Sequence, residues 1–239
     1  MDFEKSGVPG LDELLKGGLR KNSSIVVRGV PGTGKTILAL QFILQGAKEG
    51  QPGIFISAEE DLDDLREYAK SLGMDLEKYE SRKLIYLIKQ PIALTKLVSI
   101  PLPLELVRKR KIKRVVLDSL SLFKYGTEGK LTYRKELIYL INNMKSVLFL
   151  ATAEDRGFGI DKNESTTEDS LFDGIIRLIR VRKGNTFERC IYIIKMRGQE
   201  HLIDIFPFNI MKKGITIYPN QIPFSLVGEN SSQIEGFKK

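Results

Sequence analysis

Residues Gly29 to Thr36 carry the strongest chemical signal in the chain. Their sequence, GVPGTGKT, satisfies the pattern GxxxxGK[ST] and lies between an apolar strand pattern and an amphipathic helix pattern. Glycines in this pattern let backbone N–H groups close around phosphate oxygens, and the helix that begins near Gly34 adds its positive dipole end. Lys35 would hold the β and γ phosphates, and Thr36 would offer its hydroxyl to Mg²⁺.

The motif therefore predicts ATP and Mg²⁺ as cofactors. A glycine turn without a ligand is the structural alternative, and the flanking strand and helix patterns disfavour it. The residues predicted to contact the nucleotide are Val30, Pro31, Gly32, Thr33, Gly34, Lys35 and Thr36.

An aspartate, Asp118, ends the apolar run that begins at Arg114. An acidic group at such a strand end orients the water shell of magnesium in phosphate-loop sites. A strand can also end in an aspartate that caps a helix, but the phosphate loop favours the metal role. We therefore predict Thr36 and Asp118 as the magnesium-binding pair.

Two adjacent glutamates, Glu59 and Glu60, close another apolar run, Gly53 to Ala58. In parallel α/β folds, ligands gather at the edge where strands end, so one glutamate could activate the attacking water. Neighbouring carboxylates repel each other, which raises the pKa of one of them. The alternative is that both begin the following helix, where acidic residues favour the dipole. The residues alone leave the two interpretations balanced.

Short apolar runs that resemble buried parallel strands recur along the first two thirds of the chain. They are Ser24 to Arg28, Gly53 to Ser57, Leu84 to Ile88, Arg114 to Leu117 and Val147 to Ala151. The helical patterns between them are Gly34 to Lys48, Asp61 to Leu72 and Leu131 to Met144. This alternation predicts an α/β fold with a mainly parallel central sheet flanked by helices.

The pattern changes after Asp169, where Gly174 to Arg182 and Thr186 to Met196 flank a turn and predict a β-hairpin. A second, smaller β unit is expected to follow, with strands at Ile205 to Ile210 and Gly214 to Tyr218. Together these strands would form a C-terminal antiparallel β extension.

Length and composition favour one domain, because single α/β domains commonly reach about 250 residues and this chain has 239. We expect that domain to cover 1–219, followed by a polar tail over 220–239. The single cysteine, Cys190, excludes an intramolecular disulfide framework. The acidic N-terminus and the absence of a long apolar run predict a cytoplasmic protein without membrane segments.

Several motifs, in this order, resemble those of the KaiC-like branch of RecA-type P-loop ATPases. They are SGVPGLDELLKGGL, the phosphate loop, IFISAEE, VVLDSL and IYIIKMRGQEH. The resemblance extends from about Ser6 to Pro219 and implies a RecA-like fold in a single-domain, archaeal-type homologue.

The resemblance implies a homo-oligomer, a hexameric ring or a filament, with ATP bound between subunits. It also implies that Glu59 and Glu60 activate water, so that they form the catalytic set together with Lys35. Lys195 and Arg197, in the KMRG motif, are then expected to reach the γ-phosphate of a neighbouring subunit, where a cation supplied in trans stabilises developing charge. A solvated basic strand end is the alternative for this pair.

The chain departs from the family at the two positions where some members accept phosphate. These positions hold Asp169 and Ser170, so half of the phosphorylation pair is missing and autokinase activity is not expected.

A formal net charge of +8 leaves nucleic-acid binding open, although the ion-laced surface of a heat-adapted protein would have a similar composition. RecA-type DNA binding uses two loops, which here correspond to Lys124 to Lys130 and Glu154 to Glu168. The second loop, and also Gln90 to Pro103, are predicted to lie near a functional surface. The charged residues of the second loop are Glu154, Asp155, Asp161, Glu164 and Glu168, against Arg156 and Lys162. This acidic excess would repel a phosphate backbone.

The sequence therefore predicts hydrolysis of MgATP at the interfaces of a homo-oligomer. Two alternatives remain open. One is a nucleotide-gated scaffold that docks an unidentified protein partner with little turnover. The other is an accessory ATPase of DNA repair or recombination, for which salt-sensitive binding to single strands would be the signature.

Overall fold

The computed structural model describes residues 2–90, 105–107, 109–127, 129–155 and 166–226. The strands are β1 (Phe3–Glu4), β2 (Leu19–Arg20), β3 (Ser24–Gly29), β4 (Gly53–Ser57), β5 (Ile85–Lys89), β6 (Arg114–Asp118), β7 (Leu148–Glu154), β8 (Gly174–Lys183), β9 (Thr186–Met196), β10 (Phe206–Met211) and β11 (Gly214–Ile217). The helices are α1 (Leu11–Leu14), α2 (Lys35–Lys48), α3 (Leu62–Ser71), α4 (Glu77–Ser81), α5 (Leu120–Gly126), α6 (Lys130–Asn143) and α7 (Thr167–Leu171). All strands and helices predicted from the sequence occur, with bounds that differ by three residues at most.

A nine-stranded sheet forms the centre of the molecule, in the order β11-β10-β9-β8-β3-β7-β6-β4-β5. The six strands from β8 to β5 in this order are parallel to one another, and β9, β10 and β11 continue the sheet in antiparallel pairing. Strands β1 and β2 pair separately near the N-terminus. The α/β fold class and the antiparallel extension are confirmed.

Both faces of the sheet are buried, which explains the unbroken apolar runs of the sequence. Ile25 and Val27 of β3 point into a core shared with α1 and α2, here called the α2 face. Val26 points into a second core shared with α5 and α6, here called the α6 face. The whole of β3 is buried, so β-branched residues are favoured along it.

The smaller β unit expected after the hairpin, β10 and β11, is not separate from the main sheet but continues it. Strand β8 pairs in parallel with β3 over Ile25 to Gly29, so the hairpin lies inside the main sheet. Strand β10 then pairs with β9, which carries the antiparallel extension onward from the same sheet. Sequence periodicity reports which face of a strand is buried, but it does not report which strands are neighbours.

A β-bulge interrupts β9 near its end. Ile175 pairs with Lys195, whereas the next residue of β8 pairs with Ile193, so Ile194 is an extra residue in β9. Consequently Ile193 and Met196, although three residues apart, both contact the core of the α2 face. Lys195, opposite Ile175, lies on the α6 face.

Most of the two predicted loops near a functional surface lies outside the described residues. Within Gln90 to Pro103 only Gln90 is described, and it is buried.

The first of the two segments matched to DNA-binding loops, Lys124 to Lys130, is for the most part helical: α5 ends at Gly126 and α6 begins at Lys130. Its assignment as a loop is therefore wrong.

The chain beyond β11 is described as far as residue 226. Ser225 is buried, and its backbone N–H and hydroxyl donate to Glu188 Oε2 at 2.9 and 2.8 Å. The first part of the predicted tail therefore packs on the hairpin, and 227–239 lies outside the described residues. Across the described part of the chain, none of the helices combines the length and apolar character that a bilayer span requires.

A buried arginine, Arg114, joins the N-terminal segment to α2 and to the start of β6. Its side chain is 1% exposed and donates to the carbonyl oxygens of Lys5 (2.8 Å) and Phe42 (3.0 Å), to Gln51 Oε1 (3.1 Å) and to Glu49 Oε2 (3.2 Å). Burial lowers its pKa, and the carboxylates of Glu49 and Glu4 oppose that shift. A charge this deeply buried is tolerated only because its donors are paired.

We predict that Arg114→Ala lowers the free energy of unfolding by about 3 kcal/mol, because it removes one partner of a buried ion pair and the bonds to the carbonyl groups of Lys5 and Phe42. Urea denaturation monitored by circular dichroism would measure the loss. The matched control is Arg66→Ala, which removes a partly exposed pair between α3 and Glu80 of α4 and should cost about 1 kcal/mol or less. Equal losses in the two variants would contradict this role of Arg114.

Candidate functional site

The predicted nucleotide residues converge at one edge of the sheet. Strands β3, β7, β6 and β4 are adjacent and parallel, so their carboxyl ends meet there. This edge carries the loop from Gly29 to Thr36 after β3, Glu154 at the end of β7, Asp118 at the end of β6, and Glu59 and Glu60 after β4. The edge is where ligands bind in parallel α/β folds.

The loop after β3 has the backbone shape that an anion cradle requires. Gly32 and Gly34 have φ angles of 75° and 105°, a region that favours glycine. A Cβ atom on Gly32 would lie 2.5 Å from Arg180 Nη2, so a side chain there would require Arg180 to move. Helix α2 begins directly at Lys35 and no side chain caps it among the described residues, which leaves the N–H groups of its first turn for a phosphate.

The Lys35 ammonium group lies inside this loop. It donates to the carbonyl oxygens of Gly29 (2.8 Å) and Val30 (3.3 Å). Burial is the largest influence on Lys35 and lowers its pKa, while nearby carboxylates, Glu154 foremost, oppose that shift. Two neutral carbonyl groups thus hold a cation that a phosphate would bind more strongly.

Thr36 and Asp118 are in direct contact, as a shared metal site requires. The hydroxyl of Thr36 donates to Asp118 Oδ2 at 2.8 Å, and the hydroxyl of Thr152 donates to Asp118 Oδ1. Burial raises the pKa of Asp118, and the two hydroxyl donors oppose that shift. Within the described residues, no group of three or more His, Cys, Asp or Glu side chains could hold a metal ion. Mg²⁺ at this pair would therefore draw its remaining ligands from phosphate and water, as it commonly does.

The two adjacent glutamates differ in their surroundings. The hydroxyl of Ser119 donates to Glu59 Oε1 at 2.6 Å, which fixes that carboxylate beside the end of β6. The pKa of Glu60 is raised, first by burial and then by the charges of Asp118 and Glu59. The repulsion anticipated between the two carboxylates therefore contributes, but desolvation contributes more.

Lys195 and Arg197 lie at the opposite edge of the sheet from the phosphate loop. Met196, between them in sequence, pairs with Gly174, which pairs with Ile25 at the start of β3. Ile25 precedes Gly29 by four residues, a separation of roughly 13 Å along the strand. The Lys195 ammonium donates to the carbonyl oxygen of Asp169, and Arg197 Nη2 donates to that of Ser170 at 2.8 Å. The structure thus places these two cations away from the loop of their own chain.

An arginine that sequence analysis missed contacts the phosphate loop. Arg180 of β8 donates from Nη2 to the carbonyl oxygen of Pro31 at 2.7 Å, and it lies over Gly32. A carbonyl that accepts from Arg180 is held away from the cradle, so the N–H groups of the loop stay available for an anion. The sequence did not single it out, because β8, GIIRLIRVRK, carries three other cations.

Two acids assigned to the acid-rich loop are interior residues. Asp155 is buried and paired with Arg28 and, at 2.6 Å, with Arg177. Glu168 is 3% exposed and accepts from the Tyr133 hydroxyl at 2.9 Å. These two carboxylates therefore cannot repel a nucleic acid at the surface, and that part of the argument against DNA binding is wrong. Residues 156–165 lie outside the described residues.

Comparison with known proteins identifies relatives over nearly the whole chain. A family model described as "ATPase: KaiC" matches residues 4–222. A curated protein of Aeropyrum pernix, described as a UPF0273 protein, is 29% identical and the match covers 93% of this chain and 96% of that protein. The circadian clock oscillator protein KaiC 1 of Synechocystis is 31% identical over 89% of this chain, which corresponds to 43% of that longer protein.

A solved structure has the same fold. The crystal structure of a KaiC-like protein from the hyperthermophilic archaeon Pyrococcus horikoshii matches with a TM-score of 0.80 and 33% sequence identity. The match covers 91% of this chain and 99% of that one.

We predict that Asp118→Asn stabilises the protein in buffer with a chelator and without nucleotide. Because the folded-state pKa of Asp118 is raised, the wild type loses stability as pH rises from the unfolded-state pKa through the folded-state pKa. At neutral pH the variant is free of that cost, so its melting temperature should be higher, and the difference should vanish in acid. Isothermal titration should show weaker binding of MgATP at the same time. A lower melting temperature for the variant at neutral pH would contradict the prediction.

We predict that Arg180→Ala weakens ATP binding about tenfold, because the loop loses the donor that orients the Pro31 carbonyl group. Titration with a fluorescent ATP analogue would measure the change. Arg182→Ala is the control, because Arg182 lies on the same strand, is exposed, and donates to Gly184 of its own turn. Similar affinities in the two variants would exclude a role of Arg180 in the loop.

Proposed function

This chain belongs to the KaiC family of ATPases, and from that premise we propose that it hydrolyses MgATP at the interfaces between its own copies. The observation that carries the proposal is the separation of the charged groups. The phosphate loop lies at the carboxyl edge of the parallel strands, whereas Lys195 and Arg197 lie at the amino edge. A site that uses both needs a second copy of the chain.

Binding of the substrate would rest on the loop and on the pair beside it. The N–H groups from Val30 to Thr36 would surround the β and γ phosphates, and Lys35 would exchange its carbonyl partners for phosphate oxygens. Thr36 and Asp118 would hold Mg²⁺, which neutralises the charge of the phosphates during transfer. The uncapped start of α2 and the contact between Thr36 and Asp118 both fit this role.

The paired glutamates would provide the general base. A water oxygen attacks the γ-phosphorus, the bond to the bridging oxygen breaks to release ADP, and a glutamate accepts the water proton. Glu60 has the raised pKa that suits a base, and Ser119 holds Glu59 in place beside Asp118. Because of these different surroundings, Glu60 would accept the proton and Glu59 would help to position the water.

Lys195 and Arg197 would act on the neighbouring copy. Their side chains donate to carbonyl groups at the amino edge, and Arg197 borders a cavity of about 220 Å³ there together with Asp173 and Asn142. In a ring or filament, this edge of one copy would face the carboxyl edge of the next. A cation that arrives in this way stabilises the negative charge that develops during phosphoryl transfer. A closed hexamer and an open filament satisfy the same requirement.

The test is subunit complementation. Arg197→Ala removes a cation supplied to the neighbour, and a double variant with Glu59→Gln and Glu60→Gln removes the base but keeps the cations. Each variant alone should lose at least about a hundredfold in turnover, because an arginine supplied in trans contributes that much or more. Mixed oligomers should recover activity, since the double variant supplies Arg197 to the intact loop of the other. Arg82→Ala, exposed on the surface at the end of α4, should behave as the wild type.

Other outcomes would decide against the proposal. Mixed oligomers that form but stay inactive would contradict hydrolysis across the interface. Wild-type protein that binds ATP and assembles without turnover would instead indicate a nucleotide-gated scaffold. Turnover that depends on single-stranded DNA would indicate the DNA-dependent alternative.

A further inference from the structure

The short helix α7 connects the strand that leads into the phosphate loop with the two cations at the opposite edge. At its N-terminal end, Arg28 of β3 donates from Nη1 to both carboxylate oxygens of Asp169, at 2.7 and 2.9 Å. Arg28 is the residue directly before Gly29, where the loop begins. The helix is thus tied to the base of the phosphate loop by a charged contact.

The other end of α7 holds the cations. The Asp169 carbonyl oxygen accepts from Lys195, and the Ser170 carbonyl oxygen accepts from Arg197. Carbonyl groups in the last turn of a helix have no partner within the helix, so they bind cations readily. The positions of both side chains therefore depend on the position of α7.

The carboxylate of Asp169 fixes that position in two ways. Its Oδ2 accepts from the backbone N–H of Thr166 at 2.8 Å, which completes a capping box at the start of α7. The side chains of Arg28 and Asp169 are 9% and 19% exposed, so solvent screens their attraction only weakly. Arg28 is itself held by Asp155, which also pairs with Arg177 of β8.

Two further contacts of α7 are made with the α6 face rather than with β3. Leu171 packs on the apolar core of the α6 face, and Glu168 accepts from Tyr133 of α6. Loss of the Asp169 charge would therefore leave α7 attached to α6 and tied to Arg28 only by the longer bond from Arg28 Nη1 to the Thr166 hydroxyl, at 3.2 Å. The expected result is a shift of the carbonyl groups that hold the cations, with the fold retained.

We propose that Asp169 is a positioning residue for the reaction in the neighbouring subunit: through Arg28 it fixes α7, and α7 presents Lys195 and Arg197 to the next copy. This inference rests on the proposed function. It assigns Asp169 an effect on ATP bound elsewhere in the oligomer rather than on ATP bound by its own chain.

The experiment places Asp169→Asn in one partner of the complementation mixture at a time. In the first mixture the change is in the Glu59→Gln, Glu60→Gln copy, which supplies the cations. In the second mixture it is in the Arg197→Ala copy, which supplies the hydrolysing loop. The first mixture should lose about tenfold in recovered turnover, since a small displacement of a catalytic group costs that much or more. The second should remain within about twofold of the mixture without the change.

This asymmetry distinguishes positioning from general damage. Equal losses in the two mixtures, or no loss in the first, would overturn the role of Asp169. A reference mixture that recovers nothing would overturn the proposed function itself and the role of Asp169 with it. Asp63→Asn is the matched control, because Asp63 also pairs with an arginine, Arg66, but is fully on the surface of α3.

A second variant covers the case in which Asp169→Asn does not fold, as judged from its melting temperature. Asp169→Glu keeps the charge and lengthens the side chain by one methylene group. It should lower the recovered turnover in the first mixture more than in the second, with a smaller loss than Asp169→Asn. Equal losses of turnover in the two mixtures would count against the proposal.

Discussion

Strand β3 is hydrogen-bonded on both of its edges, in parallel to β7 on one side and to β8 on the other. This pairing fixes the positions of the strands that carry the phosphate loop and the two cations. Parallel partners send the ends of β7 and β6 to the edge where the phosphate loop begins. The antiparallel return of β9 sends Lys195 and Arg197 to the other edge. A chain folded in this way holds the phosphate loop and these two cations at opposite ends of its parallel strands, so the proposed site needs a second copy of the chain.

Two charged groups at the carboxyl edge are buried at a cost in free energy. Asp118 is buried with a raised pKa, and Lys35 is buried with a lowered one, so each charge lies where solvent would have stabilised it better. Such strain is common at sites that bind charged ligands, since it is relieved when the ligand arrives. At the same edge, Arg28, Asp155 and Arg177 form a buried network in which the charges are paired. Unpaired buried charge is what a charged ligand could stabilise, whereas the paired network of Arg28, Asp155 and Arg177 supports the fold around it.

The sequence predicted the elements whose signal is local. The loop from Gly29 to Thr36, the strand ends at Glu59 and Asp118, and the β8–β9 hairpin all carry their pattern within a few residues. Features that depend on strand neighbours were not accessible. The insertion of the hairpin beside β3, the contact of Arg180 with Pro31 and the burial of Asp155 each arise from pairing between distant segments. Counting the charges of the segment from Glu154 to Glu168 was also misleading, because Asp155 is paired with interior arginines and adds no negative potential at the surface.

The bulge at Ile194 adds one residue to β9 without changing which residue of β8 pairs with Lys195. Because Ile194 is the extra residue, a chain without it could still pair Lys195 with Ile175 and keep the same face. A residue lost or gained elsewhere in the paired part of β9 would instead turn the cations to the α2 face. Deletion of Ile194 would therefore keep Lys195 on the face where it lies now.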